Sequence, residues 1–187
     1  SVTINEEIIE IADRTGVLPN INDGSDFYTE QTSALGIRAR ALNMFIGETI
    51  SADNTQTPGN PLAFVLGIAG GIPGSYRPTA RSAVILSLTE AYGTDAFFSD
   101  DELDTFAETM AHEAGHYLGL FHPVEIQAEG FQGEDPLADT ATCTTIASCT
   151  ANGTVNNLMF PRAVTAAQQQ NLTPQQSEVI NLQVIVD

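Results

Sequence analysis

Lysine is missing from this 187-residue sequence. Its six basic residues are all arginine, against 24 acidic ones, for a formal charge of −18. A field of that sign repels nucleic-acid phosphate and anionic lipid, so neither is an expected partner. Charge of any kind is scarce at 16%, below the roughly 25% of an average domain, so Asn, Gln, Ser and Thr must cover much of the surface. Long apolar runs are missing too. The longest, Leu62 to Pro73, has 12 residues and includes three glycines, short of the roughly 20 that span a bilayer, so no membrane insertion is expected. There are only two cysteines, Cys143 and Cys149. With five residues between them, they read as a small disulfide-closed loop suited to an oxidising compartment, the alternative being two buried thiols. Export would already have removed a leader segment, so the lack of one at Ser1 is compatible with a secreted or cell-surface protein.

The length suits one domain, able to bury roughly 70% of its unfolded surface without staples. No internal repeat or low-complexity linker divides it. Ile4 to Arg14 reads as a helix, capped by Thr3 and Glu6 and ended by Gly16. Residues 19–36 are turn-rich, Ile37 to Ile50 reads as a strand, and residues 51–61 read as a loop. Leu62 to Ala69 and Ser82 to Leu88 read as further strands.

A long helix is announced at Ser99, with Glu102 completing a capping box and Asp100 and Asp101 in the first turn. Leu103, Phe106, Met110, Ala114 and Tyr117 follow at helical spacing as a core-facing stripe, and Gly119 ends it. Residues 123–172 look mostly irregular. A last helix is expected from Thr173 to about Val179, with Pro174 in its first turn and Gln176 completing a second box. Leu182 to Val186 reads as extended. This order predicts an α+β fold.

The chain has three histidines, and all lie in one motif, His112-Glu113-Ala114-Gly115-His116-Tyr117-Leu118-Gly119-Leu120-Phe121-His122. His112 and His116, four apart on a helix, project from one face at a spacing that one Zn²⁺ bridges. Glu113 is turned away from the ligand face but reaches a metal-bound water, which makes it the candidate general base. Gly119 permits the reversal that brings His122 in as third ligand. Three protein ligands leave a fourth position open, the catalytic arrangement rather than the structural one.

On these residues the sequence resembles the metzincin zinc metallopeptidases, over roughly residues 62–180. The resemblance implies a twisted, mostly parallel sheet, a long active-site helix, and a mostly irregular C-terminal lobe ending in a helix. The single catalytic domain, residues 1–187, would have lobes of about 1–119 and 120–187 with the zinc cleft between them. It also implies a methionine beneath the zinc site, which Met159 in Asn157-Leu158-Met159-Phe160-Pro161 supplies. Pro123 after the third histidine is shared with serralysins, but their calcium repeats are missing, and Pro161 stands where serralysins and astacins carry a tyrosine. The segment Asp135 to Thr140, the cysteine loop, the Asn-Leu-Met turn and the closing helix look most like the pappalysin-like (ulilysin-type) branch.

The resemblance further implies a strand that binds extended protein or peptide substrates. Phe64, Leu66, Gly67, Ile68 and Ala69 are its candidates, the alternative being an ordinary buried strand. It implies Ca²⁺ at Glu134, Asp135 and Asp139, the alternative being a solvated acidic loop. Residues 161–172 would shape the pocket for the side chain after the scissile bond. The expected function is a secreted, monomeric, zinc-dependent endopeptidase. A catalytically silent zinc- or calcium-binding adhesion domain is the alternative, and substitution of Glu113 separates the two.

Overall fold

The computed structural model describes residues 20–21, 41–47, 49–50, 66–77, 83–88, 98–127, 130–133, 135–164 and 167–183. The expected helix at Ile4 to Arg14, the loop at 51–61, Phe64, Glu134 and the end of the tail lie outside them.

The fold is mixed α+β. Strand β1 (Asn20–Ile21) pairs in parallel with β3 (Thr49–Ile50). Strands β2 (Asn43–Gly47), β5 (Ala83–Ser87) and β4 (Gly67–Ala69) form a second sheet in the order β2-β5-β4. β2 runs parallel to β5, with Phe45 opposite Ile85. β4 runs antiparallel to β5, with Ile68 opposite Ile85. The run Ala-Val-Ile-Leu-Ser of β5 is apolar almost without alternation, and every residue in it is buried, as a central strand covered on both faces requires. Residues 37–50, expected as one strand, are two in their described part, because Met-Phe-Ile and Thr-Ile join different sheets.

Helix α1 (Asp100–Tyr117) packs on β4 and β5. Its capping box forms as expected. The Ser99 hydroxyl accepts from the Glu102 N–H, and the Glu102 carboxylate accepts from the Ser99 N–H at 2.7 Å. These bonds hold the Glu102 carboxyl below its usual range. The helix ends in a Schellman turn: Gly119 N–H donates to His116 O and Leu120 N–H to Gly115 O, both at 2.9 Å, with Gly119 at φ +99°. The expected core stripe needs a correction. Leu103 is exposed, and the buried residues of α1 are Glu113, Gly115, His116 and Tyr117. The fully buried residues thus fall in the last two turns of the helix, so helical spacing identified a face but not how much of it is covered.

Residues 123–172 are more regular than expected. They contain a hairpin, β6 (Glu125–Gln127) with β7 (Gly130–Gln132), then helix α2 (Ile146–Ala151) and a 3₁₀ turn at Thr154–Asn156. A second core forms here from Val124, Phe131, Val155, Phe160 and the Cys143–Cys149 disulfide. The bridge closes a short loop, which in the chain-entropy model contributes about 2 kcal/mol. Helix α3 (Pro174–Asn181) starts with the expected Thr173–Gln176 box and runs two residues past Val179. No helix among the described residues is long and apolar enough to cross a membrane.

Candidate active site

The end of α1 and the turn after it bring three imidazoles together. His112 Nε2 lies 3.1 Å from His122 Nε2, and His116 Nε2 lies 2.9 Å from it. Each ring is held from behind through Nδ1. His112 bonds Leu158 O at 2.8 Å, and His116 bonds Leu120 O at 2.8 Å. His122 faces both carboxylate oxygens of Glu125, at 3.1 and 3.0 Å. Carbonyl and carboxylate oxygens accept, so each Nδ1 carries the hydrogen and each Nε2 is left with a bare lone pair. Three lone pairs pointing at one another repel unless a cation lies between them. Nitrogen ligands 2.0–2.1 Å from a tetrahedral zinc would lie about 3.3 Å apart, close to the 3.1 and 2.9 Å that separate His122 from the other two, and all three nitrogens lie within 4.8 Å of one another, so the residues fit that ion.

Electrostatics prepares the ligands. Burial, with His116 and His122 alongside, pushes His112 down to about 3, although the Leu158 carbonyl opposes this. Burial also holds His116 down to about 4, the Leu120 carbonyl opposing. Both rings are therefore neutral over the ordinary pH range, as metal ligation requires.

Glu113 is buried beside them under the edge of β4. Burial pushes its carboxyl up to about 7, and the Ala69 N–H donating to it pulls it partway back. The fit is close: a Cβ on Gly67 would stand 2.5 Å from Glu113 Cγ. Beneath the helix Met159 is fully buried, its sulfur against Gly115 with no room for a methyl group there.

The Met159 turn is fixed by a buried amide pair that sequence reading did not find. Asn157 Nδ2 donates to Gln176 Oε1 at 2.9 Å, Gln176 Nε2 donates back at 3.2 Å, and Asn157 Oδ1 also accepts from Met159 N. The second capping box thus also supports the turn whose Leu158 carbonyl orients His112. Glu125 was missed as well. Its only sequence signal is an acid three residues after the third histidine.

The structure therefore brings His112, Glu113, His116, His122, Gly119, Met159, Gly67 and Ala69 into one neighbourhood, with Leu66 and Ile68 half-buried along β4. Of the candidate calcium residues, Glu134 lies outside the described residues. Asp139 accepts from Thr173 Oγ1 and Gln175 N at the start of α3, while Asp135 Oδ1 accepts from Leu137 N.

A family model described as metallopeptidase family M12B, reprolysin-like, matches residues 86–187. The chain belongs to that family. No curated protein and no solved structure matches it. A reprolysin-like metallopeptidase is a metzincin-type hydrolase of peptide bonds, and the three histidines here can hold the zinc such an enzyme uses. The matched residues of this reprolysin-like chain begin in β5 and take in the histidine motif, the Met159 turn and α3.

Proposed function

We propose that the chain is a zinc-dependent endopeptidase for extended protein or peptide substrates, with Glu113 as general base. The observation that carries this reading is the pairing of three bare, converging Nε2 atoms with one buried carboxyl raised to about 7 beside them. His112, His116 and His122 would hold the zinc, which would supply an acidified water with a pKa of about 7 and a Lewis acid for the carbonyl. Glu113 takes the proton of the attacking water and returns it to the leaving amine, a task its raised carboxyl suits near neutral pH. Leu66, Gly67, Ile68 and Ala69 offer a strand edge: β4 pairs only with β5 among the described residues, so its far side can take a substrate backbone.

Residues 161–172 would line the pocket beyond the scissile bond. Within it the Gln169 side chain bonds Arg162 O and Val164 N, while its N–H donates to Glu108 of α1. Secretion as a monomeric, single-domain catalytic unit with a cleft between its lobes belongs to the same reading and accords with the disulfide. So does the pappalysin-like affinity of the Asp135 to Thr140 segment and the Asn157 turn. Calcium would be carried by Asp135, which is buried, with Glu134 and Asp139 near in sequence.

The test is digestion of casein by wild type and Glu113→Ala, with and without chelator, alongside bound zinc. Cleavage by wild type alone, abolished by chelator, with zinc retained in the variant, is expected. Equal cleavage by both proteins would overturn the role of Glu113. Zinc in both with cleavage by neither would favour the silent binding domain.

A further inference from the structure

We infer that Glu125 is a positioning residue for the metal centre, fixing His122 and setting the affinity of the site. The inference rests on the zinc reading above. Of the three histidines, two are oriented by main-chain carbonyls, Leu158 O for His112 and Leu120 O for His116. His122 alone is oriented by a side chain, with Nδ1 within 3.1 Å of both Glu125 oxygens. It is also the ligand that needs orienting most, because it lies beyond the helix, in the turn after Gly119.

Glu125 is presented by a built element. It opens β6, paired with Gln132 of β7. β7 is docked by Phe131, whose ring is buried against Phe160 at a centroid distance of 5.2 Å and whose N–H donates to Thr144 O at 3.0 Å. Thr144 follows Cys143 of the disulfide, and a Cβ on Gly130 would collide with its carbonyl oxygen. The hairpin is therefore clamped to the cystine loop, and Glu125 is held at the edge of the ligand set. A carboxylate behind a ligating imidazole fixes its tautomer and orientation and raises its basicity, and removing such partners typically weakens metal binding 10–100-fold.

The experiment compares the full chain as wild type, Glu125→Ala, Glu125→Gln and His122→Ala. Zinc affinity is read by competition with a chromophoric chelator, the ligand field by the visible spectrum of the Co²⁺ form, and folding by the melting temperature of the metal-free protein. Glu125→Ala is expected to bind zinc about 10–100-fold more weakly with a changed Co²⁺ spectrum, while the metal-free melting temperature stays at the wild-type value. Glu125→Gln, which keeps an acceptor but loses the charge, should fall between. Glu125→Ala with zinc affinity within twofold of wild type and an unchanged Co²⁺ spectrum overturns the inference. So does a loss of affinity matched by a fall in metal-free melting temperature in both Glu125 variants, which would mark a structural role. Wild type and His122→Ala binding zinc equally would instead remove the zinc reading itself. Casein is not part of the readout, so a catalytically silent zinc domain would still show the order predicted for Glu125.

Discussion

Replacing Gly67 with alanine should disable Glu113 without touching the metal. The new Cβ would stand 2.5 Å from Glu113 Cγ and 3.0 Å from its Cδ and Oε1. Carbon atoms rest at about 3.5–4.0 Å, so roughly 1 Å must be recovered. The strand has little freedom to give way. Leu66 O accepts from Ser87 N at 2.8 Å and Gly70 N donates to Ala83 O at 2.9 Å, which pins β4 to β5 at both ends. The carboxyl must move instead, and an error of about 1 Å in a catalytic group costs on the order of 100-fold in rate.

The expected result is a kcat/KM about 100-fold below wild type on a quenched-fluorescence peptide, carried by kcat, with stoichiometric zinc. In a Glu113→Ala background the same substitution should cost nothing further, because the group it displaces is gone. Strand propensity works the other way, since alanine within a strand is better than glycine by about 0.5–1 kcal/mol, so melting temperature should not account for the loss. Activity within threefold of wild type would refute this account of the strand, as would an undiminished penalty in the Glu113→Ala background.

Three further outcomes follow from the site. Gly115→Ala drives a methyl group into the Met159 sulfur and should destabilise the fold by about 1–3 kcal/mol in urea titration, with a smaller penalty when measured in a Met159→Ala background; no change in the midpoint would count against the packing described. Gln176→Leu leaves the Asn157 amide buried without its partner and should cost about 1–3 kcal/mol, and a neutral effect would show the pair to be dispensable. The metal-free protein should lose stability as pH falls from about 6.5 toward 4. Folded His112 and His116 resist protonation until about 3 and 4, whereas the unfolded chain takes up those protons near 6.5. Urea midpoints from pH 7.5 to 4.5, compared with a His112→Gln/His116→Gln variant, check this, and equal slopes for the two proteins would refute it.

The metal ligands and the cap residues were legible because their chemistry is local. Four-residue spacing on a helix, a glycine at the reversal and a Ser-x-x-Glu box are decided within one or two turns of chain. Glu125 and the Asn157–Gln176 pair were not, since each acquires its role only when separate elements meet. The hairpin that presents Glu125 was overlooked for a related reason: Glu125-Ile126-Gln127 is exposed throughout, and only Phe131 of its partner strand is buried, so no alternation marks it. Asp139 shows the converse limit. Nothing in its own turn-rich segment shows that its oxygens accept from Thr173 and Gln175 at the N-terminus of α3, some 34 residues on.

The unequal anchoring of the three imidazoles bears on how this centre can drift over generations. A peptide carbonyl is common to all twenty amino acids, so no replacement at Leu158 or Leu120 deletes the group that His112 or His116 leans on. The oxygen behind His122 is different: a single codon change at position 125 removes it. Substitution of the anchoring residue itself can therefore delete an orienting oxygen only at this surface position, whereas at Leu158 and Leu120 it can at most shift one.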